Sequence, residues 1–207
     1  AAKIAYRNLS VYLSSSSDYA AARAGAIQSA IDLYGAGSAE EIATTNAWYA
    51  VGVGGQYNSS NIYYCTSYGS NSIYQWISNV SIGSFSNSSG ALGYSDFTNQ
   101  TIPVNAGQNY SINLTPSYGG TPYQQYWKIW IDYNVDGDFS DAGELVYSGG
   151  LSSTSVSGTL SVPSTASGTT RMRVSMKYNA SQTECEIFSF GEVEDYTIEI
   201  TNSSSTG

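Results

Sequence analysis

Asp132, Asn134, Asp136 and Asp138 place oxygen side chains at every second position of one short run, and Asp141 and Glu144 follow closely. These types at this spacing suit a hard cation. Ca2+ gathers about six to eight oxygens at short range, and one loop can supply most of them. Asp132, Asn134 and Asp136 occupy the first, third and fifth places of such a loop, and Gly137 permits the sharp turn at the sixth. The twelfth place is Gly143, and the glutamate arrives one residue late, at Glu144. The preceding run Trp127–Ile131 reads as a strand, so this is not a helix–loop–helix calcium loop. Without a cation, the run is a solvated acidic turn between two strands. Four carboxylates at 132, 136, 138 and 141 repel one another unless positive charge sits among them. One structural Ca2+ is therefore expected at Asp132, Asn134, Asp136 and Asp138, with Asp141 or Glu144 closing the shell.

A second acidic run, Gly191-Glu-Val-Glu-Asp-Tyr196, leads into the last strand pattern. In a strand Glu192 and Glu194 share one face and Asp195 takes the other. These three either add ligands to the calcium shell, pair with Arg171 and Arg173 if that strand lies near, or form a solvated strand entry. Arg171 and Arg173 lie on the polar face of their own strand pattern, where surface salt bridges are the default. No catalytic residue is assigned. The chain has no histidine, which excludes a Ser-His-Asp arrangement and, with only two cysteines, the usual zinc shells. A carboxylate pair for glycoside hydrolysis is disfavoured because the acids crowd into the two runs.

Net charge is -9, and eleven of the sixteen acids fall in 132–144 and 184–199. Such a surface repels nucleic acid and anionic lipid and suits cations. No stretch is long and apolar enough to insert in a membrane. The 207 residues allow one or two domains. The chain opens mid-pattern at Ala1-Ala-Lys-Ile, as a mature product or a fragment would. Cys65 and Cys185 are either two buried thiols or a disulfide; the lysine-poor, Ser/Asn/Tyr-rich composition and the calcium-type loop favour the bond and a secreted or cell-surface setting.

The elements that must position these groups divide by period. Residues 3–53 read as helices: Ser38-Ala-Glu-Glu41 is a capping box, the run Tyr19–Tyr34 ends at Gly35, suited to a left-handed cap, and Ile27, Ala30, Ile31 and Tyr34 mark one apolar face. From Tyr63 the period falls to two. Ile112 and Leu114, Leu160 and Val162, Met172, Val174 and Met176, and Tyr196, Ile198 and Ile200 alternate with polar residues, as half-buried antiparallel strands do. The expected fold is an all-β sandwich, Ig-like or jelly-roll-like, preceded by a small α-helical segment. The expected boundaries are 1–54 helical, 55–62 linker, 63–201 sandwich and 202–207 linker. Most of the nineteen tyrosines are expected to pack the sandwich. Tyr57, Tyr63, Tyr64, Tyr68, Tyr118, Tyr123 and Tyr126 lie in loop-like stretches and are the better candidates for ligand contact.

Two resemblances rest on specific motifs. Lys3-Ile-Ala-Tyr-Arg7, Arg23-Ala-Gly-Ala-Ile-Gln-Ser-Ala-Ile-Asp-Leu-Tyr-Gly35, Ser38-Ala-Glu-Glu41 and Ala47-Trp-Tyr-Ala-Val-Gly-Val53 resemble the closing helical part of thermolysin-like (M4) metallopeptidases. That family's zinc-binding His-Glu-x-x-His helix lies earlier, so the resemblance implies that Zn2+ belongs only to an upstream part of a parent zinc endopeptidase. This chain alone is expected to be inactive. Tyr64-Cys65, Trp130–Phe139, Ala142-Gly-Glu144, Thr170–Val174, Cys185 and Gly191–Tyr196 resemble the GEVED domain of secreted bacterial proteins. That resemblance implies an accessory module. The leading expectation is a non-catalytic, calcium-stabilised C-terminal portion of a secreted bacterial zinc metallopeptidase that binds a protein or polysaccharide polymer. The alternative is a structural protein that forms homo-oligomers or filaments through exposed apolar faces of the helical segment.

Overall fold

The computed structural model describes residues 1–35, 37–57, 62 and 64–202. Tyr63, half of the expected 55–62 linker and nearly all of the 202–207 linker lie outside the described residues. One compact unit comprises the helices together with Asp136–Asp138, and the other comprises both sheets. No described helix is long and apolar enough to cross a membrane.

In the helical unit, α1 (Ala2–Arg7) runs into a single π-helical turn, Asn8–Tyr12, followed by α2 (Tyr19–Tyr34) and α3 (Ala39–Ala50). Asp18 caps α2 by accepting from the Ala21 amide at 2.8 Å. Ser38 caps α3 by accepting from the Glu41 amide at 3.2 Å. Glu41 reaches back to the amide of Gly37, one residue before the cap, at 2.7 Å. Gly35 does take a positive φ of 90°, but its ψ of 156° lies outside the left-handed helical region. The buried stripe of α2 is Gly25, Ala26, Ser29 and Ala30, while Tyr34 is exposed. The expected Ile27–Tyr34 face is therefore displaced. The reason is close helix packing: a Cβ on Gly25 would sit 2.7 Å from the Tyr12 Cβ. Arg7 pairs with Asp32 at 2.7 Å. Tyr6, Leu9, Val11, Tyr19 and Val51 remain exposed.

Ten strands follow: β1 (Tyr68–Asn71), β2 (Gln75–Ile82), β3 (Phe85–Ser88), β4 (Tyr94–Asn105), β5 (Asn109–Tyr118), β6 (Gln125–Ile131), β7 (Leu145–Ser148), β8 (Val156–Ser161), β9 (Gly168–Tyr178) and β10 (Ile187–Thr201). One sheet has six strands in the order β1-β10-β9-β6-β7, with β4 also on β10; the other has four, β3-β2-β5-β8. The sandwich matches the expected fold class, with one difference in pairing. β10 runs parallel to β1 along its first part and to β4 along the rest. Its fifteen residues outlast any single neighbour.

The alternating residues of both sheets meet in one core, including Ile77, Val80, Ile112, Leu114, Trp127, Ile129, Met172, Val174, Tyr196 and Ile198. Each fully buried side chain of this size contributes roughly 1.5–3 kcal/mol before entropy is counted. Cys65 and Cys185 are bonded, with their Cα atoms 5.4 Å apart. The bond spans 120 residues of sequence and, by constraining the unfolded chain, stabilises the fold by about 2–5 kcal/mol.

Candidate functional site

The acidic loop leaves β6 at Asp132 and returns at Glu144, just before β7. Its frame is built by its own first and last acids. Asp132 is fully buried and accepts from the Val135 amide at 2.6 Å. Glu144, also buried, accepts from the Tyr133 amide at 3.0 Å and the Asp141 amide at 3.2 Å. Val135 adopts a φ of 61°, a conformation that β-branched residues rarely take. Gly137 follows with a φ of 95°, open to glycine at little cost. This tight path gathers the carboxylates of Asp136, Asp138 and Asp141, with one oxygen of each within 4.8 Å of the others. Asn134 donates to Asp141 at 2.5 Å. The set is thus divided. Asp136, Asp138 and Asp141 converge with Asn134 beside them, while Asp132 and Glu144 hold the ends. The donors are all hard oxygens, the chemistry that Ca2+ takes.

Glu192, Glu194 and Asp195 do not join that group. The expectation of a strand with one wet face fails here because residues 191–196 of β10 are buried on both faces. The inward face looks onto the four-stranded sheet. There Glu192 accepts from the Ile77 amide at 2.9 Å and the Leu92 amide at 3.0 Å. Burial raises its pKa, opposed by these amides. Glu194 contacts the Ser89 hydroxyl at 2.5 Å and accepts from the Tyr196 hydroxyl at 2.6 Å. Burial pushes its carboxyl up to about 7. Tyr196 in turn accepts from Asn87 at 3.0 Å. The two glutamates thus clamp β2 and the segment after β3 onto β10. Gly191 opens the run because a Cβ there would lie 2.0 Å from the Met176 carbonyl oxygen, and its φ is 129°.

The outward face carries Asp195. Arg173 grips it with two parallel bonds, Nε to Oδ1 and Nη2 to Oδ2, each 2.8 Å. Arg171 and the Tyr94 hydroxyl each reach Oδ2 at 3.1 Å. Arg173 is 2% exposed, so it is not the surface arginine expected from its place in the pattern. Its remaining Nη1 donates to the Cys65 carbonyl at 2.9 Å and the Glu184 carbonyl at 2.8 Å. The Phe139 ring covers the guanidinium at 5.1 Å. This ion pair joins β9 and β10 to both chain segments that the disulfide links. A planar donor fork fits that task, and a lysine would not.

At one end of the sandwich the sheets part around a cleft of about 320 Å³ lined by Tyr74, Gln75, Tyr123, Tyr178 and Phe190. Its rings meet edge to face in series. Tyr123 and Tyr178 are 5.6 Å apart, Tyr178 and Phe190 6.2 Å, and Phe190 and Tyr74 6.0 Å. Among the described residues, Tyr123 alone of the tyrosines expected to make contacts lines this cleft. Tyr68, Tyr118 and Tyr126 lie in strands, not loops. Tyr118 instead bonds the Tyr123 and Ser153 carbonyls. Tyr178 was missed because it continues the inward alternation of β9. It extends past the covered core and is 40% exposed.

Residues 126–199, from β6 through most of β10, match the GEVED domain. They contain the acidic loop, the Arg173–Asp195 pair and the clamp glutamates together. Residues 1–53 match the α-helical domain of the thermolysin metallopeptidases. The chain joins a thermolysin-type helical domain to a GEVED domain. No curated protein is significantly similar to the chain. Among solved structures, the CARDB domain of a Pyrococcus furiosus protein shares 10% identity over 64% of this chain and 96% of that one, with a TM-score of 0.32. A lytic polysaccharide monooxygenase of Streptomyces lividans shares 15% over 49% and 59%, with a TM-score of 0.29. A chitin-binding domain from Burkholderia pseudomallei shares 12% over 50% and 57%, also at 0.29. Likeness at this level carries no argument about ligands. The name GEVED draws attention to acids that, in this domain, close the sandwich on itself.

Proposed function

We propose that this chain is the non-catalytic accessory portion of a secreted zinc metallopeptidase, and that its GEVED domain holds an extracellular polymer. The observation that carries the reading is the uncharged aromatic cleft at the end of the sandwich. It offers exposed ring surface on a rigid two-sheet frame, in a chain without the histidine that zinc and general-base chemistry would use. The long disulfide and the histidine-free helical piece both suit an accessory role outside the cell. Sedimentation with insoluble protein and polysaccharide polymers tests it. Wild-type chain is expected in the pellet of at least one polymer, and Tyr74→Ala/Phe190→Ala in the supernatant. Equal partition of the two overturns the reading.

The same proposal includes one Ca2+ in the acidic loop. Asp136, Asp138 and Asp141 would form its centre, with Asn134, Asp132 and Glu144 at its margins. Extracellular sites of this kind bind at about 0.1–1 mM, so a few millimolar calcium adds roughly 1–3 kcal/mol by mass action. Chelation is expected to lower the melting temperature of the sandwich by several degrees, and Asp136→Ala to remove that difference. Identical melting with and without chelator, at fixed ionic strength, would leave the loop an ordinary acidic turn.

A second reading, self-assembly through the helical unit, is favoured by the exposed Tyr6, Leu9, Val11, Tyr19 and Val51. It requires a sedimentation coefficient that rises with protein concentration; a constant monomer value rejects it.

A further inference from the structure

The cleft allows the polymer itself to be narrowed. Its lining contains no acid and no base, although the chain carries -9 overall. An occupant recognised by charge would therefore find no partner there, and a neutral one is selected. The ring geometry narrows it further. Tyr123 and Tyr178 meet at 85°, Tyr178 and Phe190 at 86°, and Phe190 and Tyr74 at 65°. Rings in this series do not form a flat platform. They leave notches, each with one ring face and one ring edge as walls. A flat sugar ring gains most from a single broad face and from several directed polar partners for its hydroxyls. Here the directed polar partners are one amide, Gln75, which is 2% exposed, and the three hydroxyls of Tyr74, Tyr123 and Tyr178. A proline ring is compact, apolar and free of donors, and aromatic-lined grooves are how extended proline-rich segments are commonly held.

We infer that the cleft binds a neutral, proline-rich segment of a protein in the polyproline II conformation. This rests on the polymer-holding reading above and names its substrate class. Such a segment has three residues per turn and rises about 3.1 Å per residue, with its carbonyls unpaired and turned to solvent. Alternate rings enter the notches, and the tyrosine hydroxyls are donors for those carbonyls. The segment is already extended before binding, so little chain entropy is lost on docking. A cleft of 320 Å³ lies at the lower end of ligand sites, about 300–1,000 Å³, which matches a few residues and not a folded partner.

The experiment is calorimetric titration of the full chain, in calcium, with decaproline, a glycine–serine peptide of equal length, and a neutral chito- or cello-oligosaccharide. Decaproline is expected to bind and the glycine–serine peptide not to. Tyr178→Ala is expected to weaken decaproline about tenfold or more. Tyr74→Ser, a change at a more exposed position, is expected to act in the same direction, with an unchanged melting temperature as the check on folding. Decaproline binding that survives both substitutions overturns the placement in the cleft. Oligosaccharide binding that both substitutions abolish, with no response to decaproline, overturns the peptide assignment and leaves the polymer-holding reading standing. No binding of any probe, together with no polymer retention, removes both.

Discussion

Arg173→Met is expected to destabilise the sandwich by about 3–5 kcal/mol, the usual cost of breaking a buried ion pair from one side. Asp195 is fully buried, and the substitution strips Oδ1 of its donor at 2.8 Å. Arg171 and Tyr94 remain on Oδ2 alone. The Cys65 and Glu184 carbonyls lose their donor as well, and each acceptor left unpaired costs roughly 1–3 kcal/mol. Against a total stability of about 5–15 kcal/mol, the variant would sit near the edge of folding. Urea unfolding near pH 7 measures it. The paired replacement Arg173→Met/Asp195→Leu is expected to recover a large part of the loss, because removing both charges leaves neither stranded. A single variant within about 0.5 kcal/mol of wild type, the range of ordinary surface changes, would mean that water reaches the pair and screens it.

The second large effect is on pH. An unfolded glutamate releases its proton near 4.5, and Glu194 in the folded chain does so at about 7. Between those values the folded state keeps a proton that the unfolded state has lost. Its contribution to stability is therefore full below pH 4.5 and is lost as pH rises through 7, by roughly 3 kcal/mol at 1.36 per pH unit. The hydrogen-bond geometry agrees with a protonated acid. Ser89 has one hydroxyl proton and lies 2.7 Å from the Ile77 carbonyl, its natural acceptor. The 2.5 Å contact with Glu194 is then best filled by the proton of the acid. The negative charge of Glu192 adds to the upward shift. Unfolding free energies between pH 5 and 8 check this. Glu194→Gln should flatten the slope and be more stable than wild type at pH 8. Parallel slopes for the two proteins would show that Glu194 is already ionised at pH 5.

Much of the fold was legible without coordinates, because hydrophobic period reports burial directly. Positions 172, 174 and 176 of β9, and 196, 198 and 200 of β10, lie in the core where alternation put them. The cap at Ser38 is likewise local chemistry, since a side chain and an amide three residues away meet without tertiary help. The bonded cysteines, by contrast, were favoured on composition, not on geometry.

What the sequence determined alone was the division into a helical and a strand region, several of the individual strands and helices, and that six oxygen-bearing side chains crowd one loop. The tertiary structure decided what the acids do. Alternation assumes one wet face, and it holds only from Thr197 onward. Earlier in β10, the covering Cys65 segment, the Glu184 carbonyl and Phe139 dry the outer face, while β2 and Ser89 dry the inner one. A charge in such a place survives only with a partner or a proton. Asp195 has the partner and Glu194 the proton, and each depends on residues about twenty or a hundred positions away. The cleft rings are drawn together from the residue before β2, the segment before β6, β9 and β10 in the same way. Spacing along the chain carries no trace of such meetings, because they are set by how two sheets twist and part at one end.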